Sequence, residues 1–541
     1  MKKMFALLLV FAMVCTLFAG CVTDSGDPSG SQGGVSTKPT APESFVNTER
    51  YPLTGEHKLT MAVTLENADQ SYLFGLMEDA TGIDFEYRLV TGEQAPLLFV
   101  DESQMPDLFF TSAGTFGFSV QQVHEYGKGG MLVDFIKYLD KMPNLAQAYA
   151  DHPDLFDAVM TAEGEVFQLP YYVFTLTGIA NEIMIRQDHM KAAGWTEQPK
   201  TIEEFTQMLR DLKKHFGATD SQYVPLTPYD SNAINYNADI SRYFYPTFGK
   251  DYEAGIHVGS EGKVIAGFAT EQFKRMCIYF RDLMAEGLLD PESFSAKGNL
   301  MQAFMNEGHT SINTWLGSIP AELFEGGVQS HMCLQPLTSE YNTTPTWAKT
   351  SAAGRWGGMI STTCSDLDAA LAYMDAFFAT SDNPLNEEGT IFNLSFWLGE
   401  EGVDWKWKVE GESYINVDKP AGWDVQHGYS GTPYIGEFYA MRLDKDGNID
   451  PFPKSVKDNL MPYAVPIIRQ NNIILTADET ENYVDAWQDI VNYVAQSYCA
   501  FVTGDSDINA EWDNYLKKLD EMGLETVIDI YQGAYERIAN R

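Results

Sequence analysis

The sequence predicts an α/β protein made of two α/β units with the chain crossing between them. Short strand-like runs alternate with amphipathic helix patterns at the intervals of a doubly wound, mostly parallel sheet. The same alternation restarts near Met184. At 541 residues, 44% of them hydrophobic, the chain can fill more than one core.

Ahead of these units lies a targeting segment. Lys2 and Lys3 give a positive start, and Phe5 to Phe18 is almost wholly apolar. That run falls short of the roughly 20 apolar residues a membrane span needs, so residues 1–20 read as a signal peptide. Ala19 and Gly20 lead into Cys21. Leu17-Phe18-Ala19-Gly20-Cys21 resembles a bacterial lipobox, cut before a cysteine whose thiol takes a diacylglyceryl group, with Phe18 where leucine is usual. The plainer alternative is ordinary secretion with Cys21 left as a thiol. Residues 21–55 show no apolar periodicity, and Ser25 to Gly34 has the composition of a flexible tether, stiffened at its end by Pro39 and Pro42. Such a segment has too little apolar surface to order itself, so the folded body is expected over 56–541.

In the first unit, Lys58 to Val63 reads as a strand, and Leu73, Leu76, Met77 and Ala80 mark one helix face. Gly82 suits the left-handed residue past that helix. Ile83 to Tyr87 alternates as a half-buried strand, and Met105 to Phe110 reads as another. The second unit opens with Met184 to Arg186, a short helix over Asp188 to Gly194, and a capping box, Thr201 with Glu204, ahead of Phe205, Met208, Leu209 and Leu212. Thr310 to Asn313 is a buried-strand pattern. Gly358 to Thr362 is a strand before a helix from Asp366 to Ala379. The tail carries a helix through Ile508, Trp512, Leu516 and Leu519, stopped by Gly523, and a last helix to Arg541.

A net charge of −40, from 76 acidic against 36 basic residues, argues against nucleic acid and against docking on anionic lipid. It suits a monomer and a neutral or cationic ligand. Beyond Cys15 and Cys21, four cysteines remain, Cys277, Cys333, Cys364 and Cys499, without a CxxC pair. Export permits disulfides, and four cysteines allow three connectivities or buried thiols.

From Lys58 to Arg541 the chain resembles family 1 extracellular solute-binding proteins, the carbohydrate-capturing lipoproteins of ABC importers. The marks are Glu78 to Ile83, Pro106 to Phe109, Gly129 to Asp134, Ile185 to Asp188, Pro199 to Phe205 and Gly399 to Trp405. Phe501 to Gly504, Glu511 to Asp513 and Tyr531 to Arg537 are similar to the large oligosaccharide-binding subgroup of Gram-positive bacteria. The resemblance implies a two-lobed periplasmic-binding-protein fold, type II-like, with a hinge between the lobes that closes on ligand. Lobe 1 would take about 56–172 and 357–394, and lobe 2 about 180–345 and 395–541. Crossovers would lie near Phe174 to Gly178 and Trp347 to Arg355. The implied partners are an oligosaccharide, the permease subunits of an importer, and the outer face of the cell membrane through the lipid on Cys21.

Sugar recognition needs flat apolar rings against C–H faces and a few placed polar groups. In similar maltose-type binding proteins a tryptophan at the strand end of Asn313-Thr314-Trp315 stacks on sugar, which marks Trp315. Tyr229, with Asn232 nearby, stands where such proteins place a stacking tyrosine. Arg355 and Trp356 sit at an expected crossover, where Gly354 and Gly357 allow close backbone approach. Trp347 and Trp397 are further candidates. Ligands bind outside the carboxyl ends of parallel strands, which adds Glu66, Asn67 and Ser112, and Tyr171 and Tyr172 adjoin a crossover. Each has a plainer reading as a core aromatic, a turn tyrosine or a solvated loop residue.

No cofactor or metal is expected. Some relatives carry a calcium loop before the strand entering Tyr229, whereas Gly217 to Pro225 offers too few oxygens at alternating spacing. Asp444 to Asn448 looks like a calcium loop but more simply marks a hairpin. HExxH, GxSxG and GxxxxGK are absent, which favours a binding protein over an enzyme. The competing readings are a polysaccharide-cutting enzyme that uses two of the many carboxylates, and a sugar sensor or adhesin on the same fold.

Overall fold

The computed structural model describes residues 42–539 apart from segments 65–67, 111–117, 174–182, 229–239, 295–303, 305–306, 315–330, 351–352, 355–356, 381, 388–401, 404, 410–412, 417–433, 437–440 and 444–454. The first strands are β1 (His57–Val63), β2 (Ile83–Leu89) and β3 (Leu108–Phe110). They are followed by β4 (Tyr171–Val173), β5 (Ile183–Arg186), β6 (Leu226–Thr227), and a hairpin of β7 (Ile256–Val258) and β8 (Val264–Ala266). Then come β9 (Ile312–Thr314), β10 (His331–Cys333), β11 (Trp347–Thr350), β12 (Ala353–Gly354) and β13 (Gly358–Ile360). The last are β14 (Trp405–Val409), β15 (Ser413–Asn416), β16 (Tyr434–Gly436), β17 (Met441–Leu443) and β18 (Ala464–Ile467).

One sheet has the order β13-β3-β1-β2, with β1 parallel to both β2 and β3. Successive side chains of β1, β3 and β13 feed opposite faces. Leu59, Met61, Val63, Leu108, Phe110 and Ile360 enter the large core of this lobe. Ala62, Phe109 and Met359 enter a smaller one behind it. Strands buried on both faces are what a parallel sheet covered on both sides requires. The helix Tyr72–Thr81 covers the first face with Leu73, Met77 and Ala80; Ser71 caps its start and Gly82, at φ +75°, ends it.

A second sheet, β10-β5-β9-β6, belongs to another large core. The helices Ile202–Phe216, Glu271–Ala285, Ala477–Thr503, Ile508–Glu521 and Leu524–Ala539 all bury apolar side chains there. β6 runs parallel to β9, but β5 is antiparallel to β9 and β10, and β13 is antiparallel to β3. The sheets are therefore mixed, where the sequence pattern suggested mostly parallel ones. The reason lies in the crossings. Ile183, the start of β5, pairs with Thr314 at the end of β9, and Gly358, the start of β13, pairs with Phe110 at the end of β3. A strand entered from the other lobe begins at the edge where the parallel strands finish, so it must run against them.

Several boundaries shift from their sequence expectation. β3 starts at Leu108, with the Asp107 carboxylate bound to Thr60 and Ser365 just ahead of it, and the buried strand is Ile312–Thr314 rather than Thr310 to Asn313. Thr201 Oγ accepts from Glu204 N as a capping box requires, but Glu204 reaches Lys200 N instead of Thr201 N. The stretch assigned to the tether up to residue 55 is packed from about Phe45. Asn47–Arg50 is a helical turn, and Asn47 and Tyr51 are buried. The hairpin expected at Asp444 to Asn448 and the anchor at Cys21 lie outside the described residues.

Cys277 and Cys333 are buried thiols, and Cys364 and Cys499 are half-buried ones. Burial pushes Cys364 up to about 12, which keeps it protonated and poorly nucleophilic. Among the described residues no helix is long and apolar enough to cross a membrane.

Candidate functional site

Among the described residues, three stretches of chain connect the two large cores, after Leu169, after Leu337 and after Leu385. The second and third supply strands to both of two small sheets, and the first to one of them. β4, from the first stretch, pairs antiparallel with β12 from the second and parallel with β16 from the third. β11, from the second, pairs in parallel with β18 from the third. Strands that pair with one another between two cores can flex together while each core stays intact, which is the makeup of a hinge.

The register of β12-β4-β16 gathers several sequence candidates. Tyr171 lies opposite Gly354 and Tyr172 opposite Ala353, so Arg355 and Trp356 directly follow the strand beside Tyr171. Leu169 N donates to Gly358 O at 2.9 Å and closes the ladder on the far side. Between these pairs, a Cβ on Gly357 would stand 1.7 Å from Leu169 O, so only glycine fits there. Tyr434 sits at the register position beside Tyr171. Sequence reading missed Tyr434, because its segment carries no local signal that it pairs with a strand so far away in the chain.

The other candidates follow strand ends. Glu66 and Asn67 come just after β1, Ser112 after β3, Tyr229 and Asn232 after β6, and Trp315 directly after β9. These six, with Arg355, Trp356 and Trp397, lie outside the described residues. Trp347 opens β11 opposite Ala464 and is only 5% exposed.

What holds these strands together is visible. The Asp107 carboxylate accepts from Thr60 N and Thr60 Oγ1, both at 2.7 Å, and from Ser365 N at 2.6 Å. Burial would raise its pKa, but these hydrogen bonds outweigh burial and hold it below the usual carboxylate range. One charged group thus ties β1, β3 and the turn after β13 together. In the second lobe, Asp220, within the loop 217–225, meets His309 Nδ1 at 2.6 Å, and His309 Nε2 meets Glu307 at 3.0 Å. That contact joins the approaches to β6 and β9, the strands that lead to Tyr229 and Trp315. Glu253 and Arg469 form a buried ion pair that anchors the end of β18 to the same lobe. Among the described residues no group of three or more His, Cys, Asp or Glu side chains is arranged to hold a metal.

Comparison with known proteins agrees with this architecture. Residues 61–383 match the family described as bacterial extracellular solute-binding protein. The fructooligosaccharide ABC transporter substrate-binding protein FusA of Streptococcus pneumoniae is 21% identical over 498 residues, 87% of this chain and 88% of that protein. The structure of FusA in complex with kestose superposes with a TM-score of 0.66 at 17% identity, covering 90% of this chain and 100% of that one. An HMO binding, ABC-transporter associated solute binding protein of Bifidobacterium longum infantis gives a TM-score of 0.70 at 16% identity, covering 90% and 99%. The fold is that of two-lobed solute-binding proteins, and the chain belongs to the bacterial extracellular solute-binding protein family.

Proposed function

We propose that this protein is the substrate-binding component of an ABC importer and captures an oligosaccharide in a cleft between its lobes. The observation that carries the reading is positional. The segments holding Glu66, Asn67, Ser112, Tyr229, Asn232 and Trp315 each begin where β1, β3, β6 or β9 ends, and α/β folds bind ligands beyond the carboxyl ends of parallel strands. Relatives that span nearly the whole chain are named for fructooligosaccharide and HMO binding, so an oligosaccharide is the ligand class to test first. Lobe 1 takes about 56–172 and 357–394, with residues 45–55 added at its start, and lobe 2 takes about 180–345 and 395–541. Cys21 carries the lipid that holds the monomer on the outer face of a Gram-positive cell membrane.

The test is a thermal-shift screen with oligosaccharides of graded length, together with analysis of the sugars recovered afterwards. A rise in melting temperature with the sugar returned intact is expected. Product release would replace the receptor reading with an enzymatic one, and no shift with any glycan would remove the carbohydrate. Mass spectrometry of the mature N-terminus tests the anchor, which an unmodified Cys21 would refute.

A further inference from the structure

A cavity of about 420 Å³, open to solvent and lined by both polar and apolar side chains, lies on the flank of the second lobe, within the size range of small-ligand sites. Its walls are the helix Gln187–Ala192, the stretch 196–200, the edge strand β10 and a π-helical turn, Val456–Leu460. It is separate from the interlobe edge. β5 starts at that edge beside the end of β9, so the helix Gln187–Ala192, which follows β5, starts at the opposite edge.

The π-helical segment closes the open side of β10. Ser455 Oγ accepts from Cys333 N at 2.8 Å, and Asn459 Nδ2 donates to Cys333 O at 2.7 Å. The edge strand is satisfied without a neighbouring strand, and π-helical turns recur at functional sites. Polar groups at the cavity are left uncommitted. Among the described residues, Gln187, Lys191, Glu197 and Lys200 make no side-chain hydrogen bond or ion pair. Gln198 Oε1 accepts from Gln335 N at 2.9 Å, which leaves the Gln198 amide NH2 for a ligand.

The lining narrows the ligand class. Amides both donate and accept, as sugar hydroxyls do. Lys191 and Lys200 are balanced by Glu197 and Asp458, which disfavours a strongly charged ligand. Among the described residues no aromatic ring lines the cavity, and Met190 and Met332 offer the apolar contact to a C–H face that a ring gives elsewhere. We propose that this flank cavity is a second binding site, outside the cleft, for a neutral polyhydroxylated ligand of one or two sugar rings. This goes beyond the cleft reading and does not depend on it.

Hydrogen exchange read by mass spectrometry on the full mature protein tests it, with glucose, sucrose, lactose and kestose as probes and glycine and phosphate as charged controls. At least one sugar should slow exchange in peptides covering 187–200, 332–335 and 455–460. The slowing should persist in Trp315→Ala and disappear in the double variant Gln187→Ala/Glu197→Ala, whose replaced side chains make no hydrogen bond or ion pair among the described residues. The site is refuted if no sugar slows these peptides, if the slowing survives the double variant, or if glycine or phosphate slows them in place of sugars. Cleft occupancy is read from other peptides, so failure of the cleft reading is seen separately.

Discussion

Asn47 and Asn144 exchange side-chain amide hydrogen bonds, 2.8 Å one way and 3.0 Å the other, inside the first lobe. Asn383 completes the node: Asn47 N donates to Asn383 Oδ1 at 2.9 Å and Asn47 Nδ2 to Asn383 O at 2.7 Å. The chain arriving from Cys21 is thereby fixed to the helix Pro143–Asp151 before the first strand begins. Asn47→Ala would leave buried amide and carbonyl groups without partners, at about 1–3 kcal/mol each, less where the site relaxes. Urea denaturation should show a loss of about 2–3 kcal/mol with an unchanged m-value. A loss under 0.5 kcal/mol, the range of ordinary surface changes, would mean that the segment is only draped on the lobe.

Beside this node, the fully buried Asp375 carboxylate accepts from Leu145 N at 2.9 Å, from Asn144 Nδ2 at 2.9 Å and from Arg50. Burial raises its pKa in spite of the Arg50 charge. Removing Arg50 strands a buried charge, which should cost roughly 3 kcal/mol near neutrality for a partly exposed partner. The raised carboxyl is neutral below its folded pKa, so the penalty of Arg50→Ala is present above that value and relieved as pH falls through it. Stability curves of wild type and Arg50→Ala should therefore converge in acid. A gap independent of pH would assign the loss to packing of the arginine stem instead.

Two histidines set a second pH limit. His331 is pushed down to about 3 and His189 to about 4, first by burial and then by the Arg186 charge. Unfolded, each would titrate near about 6.5. Their contribution is complete above that value and is lost as pH falls from it toward the folded values. Replacing His331 with Gln should flatten the acid limb of the urea midpoint between about pH 6.5 and 4. His309 behaves in the opposite sense, because its hydrogen bond to Asp220 raises its pKa. Its contribution is present in mild acid and lost as pH rises through the raised value, so the gap between wild type and His309→Gln should close on the alkaline side. An equal gap on both sides would show that the contact does not depend on the imidazolium charge.

Glycine positions separate hinge geometry from helix propensity. A Cβ on Gly357 would overlap Leu169 O, so Gly357→Ala must push the start of β13 away from the segment that leads into β4. A cost of about 1–3 kcal/mol is expected from overpacking, with slower exchange of the Leu169 amide lost first. Gly75 lies inside the helix Tyr72–Thr81 with nothing within 4 Å of its Cβ position. There the same substitution should stabilise by about 0.5–1 kcal/mol. Calorimetry on the two variants should give melting shifts of opposite sign.

Periodic segments were legible because their signals are local. The helix with Gly82 behind it and β1 lie close to where their patterns put them. Ala477–Thr503 was missed as a long helix, although Thr476 and Glu479 form the capping box that could have announced it. What could not be read are contacts between distant segments: Asp107 with Ser365, Asn47 with Asn383, and Tyr434 beside Tyr171. A short polar stretch such as Phe45 to Arg50 looks like tether until its partners, about a hundred to more than three hundred residues on, satisfy its amides. Likewise, the direction of β5 and β13 depends on where the chain crosses between lobes, which no window of residues records.

Trp315 and Trp347 were both candidates for the sugar site, and one experiment distinguishes their roles. β9 ends at Thr314, so Trp315 is the first residue in the chain beyond a strand that runs parallel to β6. Trp347 is 5% exposed at the start of β11, in register with Ala464. Trp315→Ala should leave the melting temperature within a degree or so of wild type, as for a change outside the core. It should weaken sugar binding by at least about 1 kcal/mol, roughly fivefold, on the scale of a lost aromatic contact. Trp347→Ala removes a buried ring from the strands linking the lobes and should cost about 3 kcal/mol of stability. Calorimetric titration with the best oligosaccharide, run beside thermal unfolding, reads both effects. Unchanged affinity in Trp315→Ala would take that ring out of the site, and unchanged stability in Trp347→Ala would return Trp347 to the list of rings available to a ligand.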